Sequence, residues 1–455
     1  MSDTIAAIAT PPAPSAIGII RLSGPESIAV LDRVFTPAQG ATMAERPDRM
    51  LVYGALHGTD GSVIDHCLAT VSRAPHSYTG EDTAELQCHG SPTLLTMGLE
   101  SLFAAGARQA LAGEFTRRAF LAGKLDLTRT EAVADLIHAQ SPAAVRQAAG
   151  QLGGALAHAI DDIYDGLTDL MAHFHAVLDY PDEDIEPFEA EEMVRSLTTA
   201  AQKLDRLAAS YRRGRGLVEG IPCAIVGRPN AGKSTLFNAL LGYDRAIVTP
   251  IAGTTRDTVE ERLNLGSILL RLIDTAGLRE AEDRVEQLGV ERSRAAVEQA
   301  ELVLVVLDGS RPLTAEDEDG LALGLSAPHC IVIENKADLP GTSSIPPLPE
   351  QVPLVRLSAL TGDGLDELER AIEGLFPEDT GLRPGSLLTN ARQAEAAGRA
   401  RQAVSQAADA LSMGLSPDAV LSDVEEALSA LGELTGRLVR EDVTARIFER
   451  FCVGK

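Results

Sequence analysis

The chain has 455 residues, which is too long for one hydrophobic core, so two or three domains are expected. Its 40 Lys and Arg residues against 66 Asp and Glu residues give a net charge of −26. This balance argues against a protein that holds nucleic acid on a basic surface, because such affinity comes from cations that neutralise phosphates. The absence of Trp and an aromatic content of 4% also argue against a platform on which bases stack.

No stretch is long and apolar enough for a membrane span, and the amino end lacks the basic region of a signal peptide. The five cysteines are scattered and include no C-x-x-C pair; they are Cys67, Cys88, Cys223, Cys330 and Cys452. This usage is typical of a reducing cytosol, and it suggests neither a zinc site nor a disulfide framework. The expected location is the cytoplasm.

The first 120 residues alternate β-rich segments with Gly and Pro turns. Strands are predicted in AIGIIRLSG, RMLVYGALHG, CLATVSRAP and TAELQCHG, and a helix is predicted in TLLTMGLESLFAAGA. This pattern is typical of a compact α+β domain.

From about residue 128 the sequence becomes helical, with apolar residues at i, i+3 and i+4. Ser141-Pro142 predicts a helix start, because Ser caps the first turn and Pro fits into it. Residues 161–192 carry twelve acids and no Lys or Arg, which is almost half of the net charge. We interpret them as a solvated helix face with a turn at Tyr180-Pro181-Asp182. His173 and His175 point to different faces of this helix and cannot bind one metal ion together.

Residues 216–376 alternate apolar strands with helical patterns, which predicts a parallel, doubly wound α/β sheet. The predicted strands are IPCAIVG, ILLRLID, ELVLVVLD, HCIVIEN and VPLVRLS. After Pro377 the chain returns to helices rich in Ala, Leu and Gln. We therefore expect an all-α domain in two parts, 121–215 and 377–455, interrupted by an inserted α/β domain at 216–376.

A phosphate-binding motif follows the first of these strands. The segment GRPNAGKS, residues 227–234, matches G-x-x-x-x-G-K-[ST] and opens a helix. Its glycines let backbone N–H groups close around phosphate oxygens, and the helix N-terminus adds a favourable dipole. Lys233 supplies positive charge to the β- and γ-phosphates, and the Ser234 hydroxyl is a candidate Mg²⁺ ligand.

Two further motifs belong on the phosphate side of the site. The segment GTTRD, residues 253–257, is interpreted as a switch loop in which Thr255 reaches the metal and the γ-phosphate. The segment DTAG, residues 274–277, ends a strand, so that Asp274 lies near Mg²⁺ and the Gly277 N–H near the γ-phosphate.

The base is selected by motifs after the last two strands. In NKAD, residues 335–338, the Asp338 carboxylate accepts both N1–H and N2–H of guanine, a pair that adenine does not offer. Ser358-Ala359-Leu360 presents backbone N–H groups to guanine O6. Because all these motifs lie at the carboxyl ends of strands, where such sheets bind ligands, the sequence predicts a GTP site.

Hydrolysis needs a group that orients the attacking water. Many regulatory GTPases have Gln directly after D-x-x-G, but here the residue is Leu278, whose side chain cannot position water. The catalytic group must lie elsewhere, and the spacing does not choose among Arg256, Arg279, Glu280, Glu282 and Glu286.

Segments from one end of the chain to the other, including the motifs above, carry a resemblance to a known family. They are DTIAAIATPP, AIGIIRLSG, SYTGEDTAELQCHG, GEFTRRAFLAGKLDLTRTEAVADLI, GRPNAGKSTLFNAL, IVTPIAGTTRD, DTAGLR, NKAD and the last five residues, FCVGK. Together they resemble the MnmE (TrmE) family of tRNA-modification GTPases, including its C-terminal signature Cys-x-Gly-Lys. The chain departs from the family pattern at Ser91, in the loop 12–15 and at Val453, and the first two departures concern the loops near the expected folate site.

The resemblance implies two cations and one catalytic residue in the GTPase block. K⁺ would be held by the Asn230 side chain and by backbone carbonyls of the loop 249–254, from Thr249, Ile251 and Thr254. Mg²⁺ would be held by Ser234 and Thr255. Glu286 occupies the position of the family's catalytic glutamate, which sets the attacking water through a second water. The full set expected to contact GTP is Asn230, Ala231, Gly232, Lys233, Ser234, Thr235, Thr249, Pro250, Ile251, Ala252, Gly253, Thr254, Thr255, Asp274, Thr275, Ala276, Gly277, Asn335, Lys336, Ala337, Asp338, Ser358, Ala359 and Leu360.

For residues 1–120 the resemblance implies a domain that dimerises and binds 5-formyltetrahydrofolate. Its expected folate contacts are Arg21, Glu85, Lys124 and the terminal Lys455. Cations suit the glutamate carboxylate of the folate, and a carboxylate can accept pterin N–H groups. Without the resemblance, Arg21 or Lys124 would be interpreted as half of a surface ion pair. Cys452 matches the family's terminal cysteine and is a candidate catalytic thiol.

The implied activity is that of a K⁺-stimulated GTPase and homodimer. With a flavin-dependent partner of the MnmG type, which carries FAD, it would form a heterotetramer. The complex would add a carboxymethylaminomethyl or aminomethyl group to C5 of the wobble uridine of certain tRNAs, taking one carbon from a tetrahydrofolate.

Two alternatives to this activity are open. One is a ribosome-assembly GTPase, although no basic RNA-binding module is visible after residue 376. The other is a one-carbon transferase that its GTPase domain only regulates. The acidity fits a protein that meets tRNA beside a partner supplying most phosphate contacts, with basic residues of its own at Arg117, Arg118, Lys124 and 212–215.

Overall fold

The structure is a computed structural model. It describes residues 3–179, 190–243, 261–266, 268–273, 294–341, 344–376, 383–415, 418–437, 447–448, 451 and 453–454. The chain divides into two compact units, Met1–Ala134 with Leu428–Lys455, and Asp135–Ala427. Among the described residues, no helix combines the length and the apolar character needed to cross a membrane.

The first unit is built on a seven-stranded sheet with the order β3-β4-β5-β6-β2-β1-β7, in which only the β1–β7 pair is parallel. The strands are β1 Ile5–Ile8, β2 Ser15–Ser23, β3 Phe35–Pro37, β4 Val52–His57, β5 Val63–Ser72, β6 Thr83–Gly90 and β7 Arg108–Gln109. The helices are α1 Ser27–Val34, α2 Pro92–Ala104, α3 Glu114–Leu121 and α4 Leu127–His138. The four predicted strands and the predicted helix are confirmed as β2, β4, β5, β6 and α2, whereas α1 and α3 were not predicted.

Alternation along the strands creates the core of this unit. From Asp65 onward in β5, and throughout β6, every second residue is buried. The apolar side chains among them belong to one cluster with Leu95, Leu99 and Leu102 of α2. The opposite face of the sheet carries polar side chains, among them Arg21 and Glu85. A smaller apolar cluster that includes Ile5, Ala7 and Phe115 lies on this face as well, so the larger core of the unit lies on the side of α2.

The second unit begins with helices. They are α5 Pro142–Leu152, α6 Ala155–Asp179, α7 Ala190–Ala209 and α8 Tyr211–Glu219. The predicted start of α5 is confirmed, because the Ser141 hydroxyl accepts a hydrogen bond from the Ala144 N–H at 3.1 Å. His173 is half-buried and His175 is exposed, as expected for different faces of α6. The turn at Tyr180-Pro181-Asp182 lies outside the described residues.

The second sheet has six strands in the order β13-β12-β11-β8-β10-β9. They are β8 Ile221–Val226, β9 Glu261–Leu265, β10 Ile268–Leu272, β11 Leu302–Asp308, β12 His329–Asn335 and β13 Leu354–Arg356. The five predicted strands are confirmed and are mutually parallel, while the unpredicted β9 pairs antiparallel with β10 at the edge. Separate apolar clusters cover the two faces, so the sheet is wound on both sides.

Helices α9 Lys233–Tyr243, α10 Ala315–Leu325 and α11 Leu365–Leu375 accompany this sheet, and α12 Ala391–Ser412 and α13 Asp418–Thr435 follow it. Helix α12 packs along α7, and the two helices are joined by an ion pair between Arg401 and Asp205 at 3.0 Å. A helix that follows the α/β block in sequence thus packs against one that precedes it.

Candidate functional site

The loop between β8 and α9 has a backbone that only certain residues allow. Gly227, Asn230 and Gly232 have positive φ angles of 148°, 62° and 101°. A Cβ atom on Gly227 would stand 2.3 Å from the Val306 carbonyl oxygen, and one on Gly232 would stand 2.1 Å from Asn335 Nδ2. Both glycines are therefore required by close contacts, with backbone at Gly227 and with a side chain at Gly232, as well as by conformation.

Lys233 points its ammonium group into this loop. Its Nζ donates to the carbonyl oxygens of Gly227 at 2.7 Å and Arg228 at 2.8 Å. Burial lowers the pKa of Lys233. The ammonium group is thus placed inside the turn where bound phosphate oxygens are expected, with Ser234 and Thr235 in the first turn of α9 behind it.

Asn335 connects the phosphate loop to the segment 358–360. Its buried side chain donates from Nδ2 to the Ala231 carbonyl oxygen at 2.9 Å, and its Oδ1 accepts from the Ala359 N–H at 3.0 Å. The structure thus brings together residues of three motifs that the sequence assigned to one site.

Lys336 adds a second connection to the phosphate loop. Its Nζ donates to the Asn230 carbonyl oxygen at 3.0 Å and to Asp308 Oδ2 at 2.7 Å, and its own φ angle is 66°. Ala337 and Asp338 follow it and are exposed, as a contact with a nucleotide base requires. Leu360, in the facing segment, is exposed as well.

A buried charge cluster beneath the loop was not predicted. Asp308 and Asp317 are at most 3% exposed, and Arg228 faces both, with its Nη2 3.7 Å from Asp308 Oδ2 and its Nε 3.2 Å from Asp317 Oδ1. Burial acts to raise the pKa of Asp308, but hydrogen bonds from Lys336 and Ser310 outweigh it, and the pKa is lowered. The sequence signals for this cluster are Asp308 at the end of an apolar strand and Arg228 inside the glycine loop.

A second polar cluster lies in the first unit. Arg21 and Glu85 face each other in the register of β2 and β6, and Arg21 Nε donates to Glu85 Oε1 at 2.7 Å. The Arg21 guanidinium lies 5.9 Å from the centroid of the Phe115 ring, and its Nη1 donates to the Gly454 carbonyl oxygen at 3.5 Å. Two expected folate contacts are therefore adjacent, and the residue before Lys455 lies beside them.

The carboxyl end is fitted closely at this position. Val453 forms a bridge with Ala112, and a Cβ atom on Gly454 would stand 2.5 Å from the Ile8 carbonyl oxygen. The glycine of the C-terminal signature is thus required by close packing. Lys124 lies next to Gly80, with its Cε 3.4 Å from where a Cβ atom of that glycine would stand.

Two family models match the chain: "GTP-binding protein TrmE N-terminus" over residues 4–124 and "MnmE helical domain" over residues 127–452. The tRNA modification GTPase MnmE of Heliobacterium modesticaldum is 43% identical, with the alignment covering 100% of both chains. The protein of that name from Akkermansia muciniphila is 45% identical over 99% of both chains. The chain belongs to the MnmE family of tRNA modification GTPases. Among solved structures, Aquifex aeolicus Era is 30% identical over 40% of this chain and 65% of that chain, with a TM-score of 0.25.

Several residues that the MnmE resemblance assigns lie outside the described residues. They are Thr249, Pro250, Ile251, Ala252, Gly253, Thr254, Thr255, Asp274, Thr275, Ala276, Gly277, Glu286, Cys452 and Lys455, together with the other catalytic candidates Arg256, Arg279, Glu280 and Glu282. Their roles stay predictions.

Three of the basic residues noted in the sequence, Arg118, Arg212 and Arg215, are paired with acids. Arg118 contacts Asp3 and Glu81 at 2.9 Å and Glu114 at 3.0 Å. Two residues of the 212–215 cluster are also paired, Arg212 with Glu301 and Arg215 with Glu219. These three guanidinium groups have anionic partners within the chain.

Proposed function

We propose that this chain is a K⁺-stimulated GTPase that acts, as a homodimer and in the cytoplasm, with an FAD-carrying partner of the MnmG type. Together they would add a carboxymethylaminomethyl or aminomethyl group to C5 of the wobble uridine of certain tRNAs. The one-carbon unit would come from a tetrahydrofolate. Membership of the tRNA modification GTPase family and the geometry of the two polar sites support this proposal.

The observation that carries the nucleotide part is the double hydrogen bond of Asn335. Because it ties the phosphate loop to the segment 358–360, a nucleotide that contacts one meets the other in a fixed position. In the proposed complex, Lys233 exchanges its two carbonyl acceptors for phosphate oxygens. Its ammonium is already desolvated, so the charge acts on the phosphates with little screening.

Two of the residues that the resemblance assigns to the cations, Asn230 and Ser234, lie among the described residues and support this part of the proposal. Asn230 is exposed at the mouth of the loop, and its backbone is held by Lys336, so that an amide oxygen is available where K⁺ would bind. Bound there, K⁺ would neutralise charge that develops as the γ-phosphate leaves. The Ser234 hydroxyl, in the first turn of α9, is a hard oxygen ligand of the kind that Mg²⁺ prefers.

The folate part is supported by Arg21 and Glu85. The two side chains offer a cation and a carboxylate beside each other on the polar face of the sheet, and each retains hydrogen-bonding capacity for a ligand. The side chains are 22% and 28% exposed, so both are accessible at this face. Lys124, Lys455 and Cys452 complete the proposed site.

The proposal is tested by GTP hydrolysis and folate binding of the purified chain. We expect faster hydrolysis in K⁺ than in Na⁺, and loss of this difference in Asn230→Ala. The matched control is Asn264→Ala, which removes an amide that donates to the Gln140 carbonyl at 2.8 Å, away from the loop. We also expect the chain to bind 5-formyltetrahydrofolate. Equal rates in both salts would refute K⁺ stimulation, and absence of folate binding would favour the ribosome-assembly GTPase.

A further inference from the structure

Three chemically reactive groups meet inside the first unit, on the face of the sheet opposite to Arg21 and Glu85. Leu68 pairs with Gln87, so the register of β5 and β6 places Cys67 next to Cys88. Asp65 precedes Cys67 by two residues and is buried like both cysteines. The two sulfur atoms and a carboxylate oxygen of Asp65 all lie within 4.8 Å of one another.

Glycines flank the two cysteines in the same row of the sheet. Gly54 pairs with Cys67 and Gly18 pairs with Cys88. Core side chains fill the space above these glycines. A Cβ atom on Gly54 would stand 2.5 Å from the Phe35 ring, and one on Gly18 would stand 2.4 Å from Leu95. The thiols therefore lie between two apolar walls.

His89, which is not one of the three clustered residues, orients the Asp65 carboxylate. The His89 N–H donates to Asp65 Oδ2 at 2.9 Å, and the His89 ring nitrogen Nδ1 lies 2.8 Å from Asp65 Oδ1. The His89 side chain is 75% exposed and the Asp65 side chain is 6% exposed, so the imidazole lies between the buried carboxylate and solvent. Groups that orient a metal-binding carboxylate in this way are typical of metal sites in proteins.

We propose that Asp65, Cys67 and Cys88 are ligands of a Zn²⁺ ion, whose fourth position is open to water at the His89 end. In a tetrahedral zinc site the ligand atoms lie about 3.3–3.8 Å apart, as follows from bonds of about 2.3 Å to sulfur and about 2.0 Å to oxygen. The three ligand atoms lie within 4.8 Å of one another, and a bound ion would draw them closer to this geometry. Two thiolates select zinc over Mg²⁺ or Ca²⁺, which prefer oxygen.

This site was not expected from the sequence, because the cysteines do not form a C-x-x-C pair. Asp65 and Cys67 lie on one strand, and Cys88 lies on the next, about twenty residues further along the chain. Cys67 and Cys88 are close because of the register between β5 and β6, which depends on the whole sheet. A bound ion would cross-link β5 to β6.

Metal binding at this position must be coupled to proton release. Cysteine binds zinc as the thiolate, so the thiol protons leave when the metal enters. The metal therefore competes with protons, and its affinity falls as the pH falls.

The test is a titration of the reduced, full-length chain with Co²⁺, a spectroscopic substitute for zinc. We expect one equivalent to produce a thiolate-to-cobalt charge-transfer band, and Zn²⁺ to abolish it by displacement. Cys88→Ser should lose the band. The control is Cys330→Ser, which removes another buried strand thiol, from β12, and should leave the band unchanged.

A second variant, Asp65→Asn, tests the proposal even if Cys88→Ser does not fold. Asp65→Asn keeps both thiols and should weaken Co²⁺ binding about tenfold or more. Absence of the band in the wild-type chain would overturn the proposal. A band of equal strength in Cys88→Ser, or unchanged affinity in Asp65→Asn, would overturn the assignment of these ligands. None of these outcomes depends on GTP hydrolysis or folate binding.

Discussion

The side-chain nitrogen of Asn335 lies 2.9 Å from the carbonyl oxygen of Ala231, so the guanine motif is fastened directly to the phosphate loop. The side-chain oxygen of Asn335 accepts a hydrogen bond from the Ala359 N–H. Residues more than a hundred positions apart in sequence thus depend on one buried amide for their relative position.

The first prediction concerns this amide. Asn335→Ala leaves the Ala231 carbonyl and the Ala359 N–H without their partner, and it should weaken GTP binding about tenfold to a hundredfold. Binding of a fluorescent GTP analogue measures the effect. Asn264→Ala, which removes another amide bonded to a backbone carbonyl, should bind as the wild type does. Equal affinity of both variants would contradict the assigned role of Asn335.

The second prediction concerns the phosphate loop. Gly232→Ala places a methyl group 2.1 Å from Asn335 Nδ2 at a φ of 101°, so the loop must distort. We expect GTP binding to weaken by about 2–3 kcal/mol, roughly a hundredfold. Gly242→Ala is the matched control, because a Cβ atom there meets no atom within 4 Å. Wild-type GTP affinity in Gly232→Ala would show that the loop does not need this glycine.

The third prediction concerns pH. Burial acts to raise the pKa of Glu114, but hydrogen bonds from Arg108, the Leu111 N–H and Arg118 outweigh it and lower the pKa to about 2. The unfolded carboxyl has an ordinary pKa of about 4.3, so the unfolded state takes up the proton first. The stabilisation is complete above that value and is lost as the pH falls toward about 2.

Glu114→Gln should therefore lower the free energy of unfolding by about 1–3 kcal/mol at pH 7, and by much less near pH 3. Thermal unfolding at both pH values measures this. The control is Glu219→Gln, whose carboxylate is half-exposed and pairs with Arg215 of its own helix. A destabilisation by Glu114→Gln that is the same at both pH values would refute the electrostatic cause.

The fourth prediction concerns the second polar site. Arg21→Ala removes a charged donor beside Glu85 and Gly454, and it should weaken binding of 5-formyltetrahydrofolate about tenfold or more. Equilibrium dialysis with the folate measures this. Arg33→Ala, an exposed arginine of α1 in the same unit, is the control and should bind normally. Unchanged folate affinity in Arg21→Ala would exclude this position as the folate contact.

Features that depend on neighbouring residues were predictable from the sequence. The strand segments are recognisable because a few consecutive residues already show which side chains are buried. The loop 227–234 is recognisable because its own backbone turn needs glycine at fixed positions. Ser141 caps a helix that begins at the next residue, so its role is local too.

Features created by pairing between distant segments were not predictable. Strand β9, with the sequence ERLNL, is half polar, and it is stabilised by antiparallel pairing with β10. Arg228 meets Asp317 almost ninety residues away, and Cys67 meets Cys88 through strand register. The partner of each of these residues depends on how the strands pair in the complete sheet, and strand pairing cannot be read from a single sequence.

Mass analysis of wobble uridines in tRNA from cells that lack this protein tests the central proposal most directly. We expect the carboxymethylaminomethyl and aminomethyl groups at C5 to disappear. Expression of the wild-type chain should restore them, whereas Gly232→Ala should not. Unchanged modification in the deleted cells would contradict a role for this chain in that reaction.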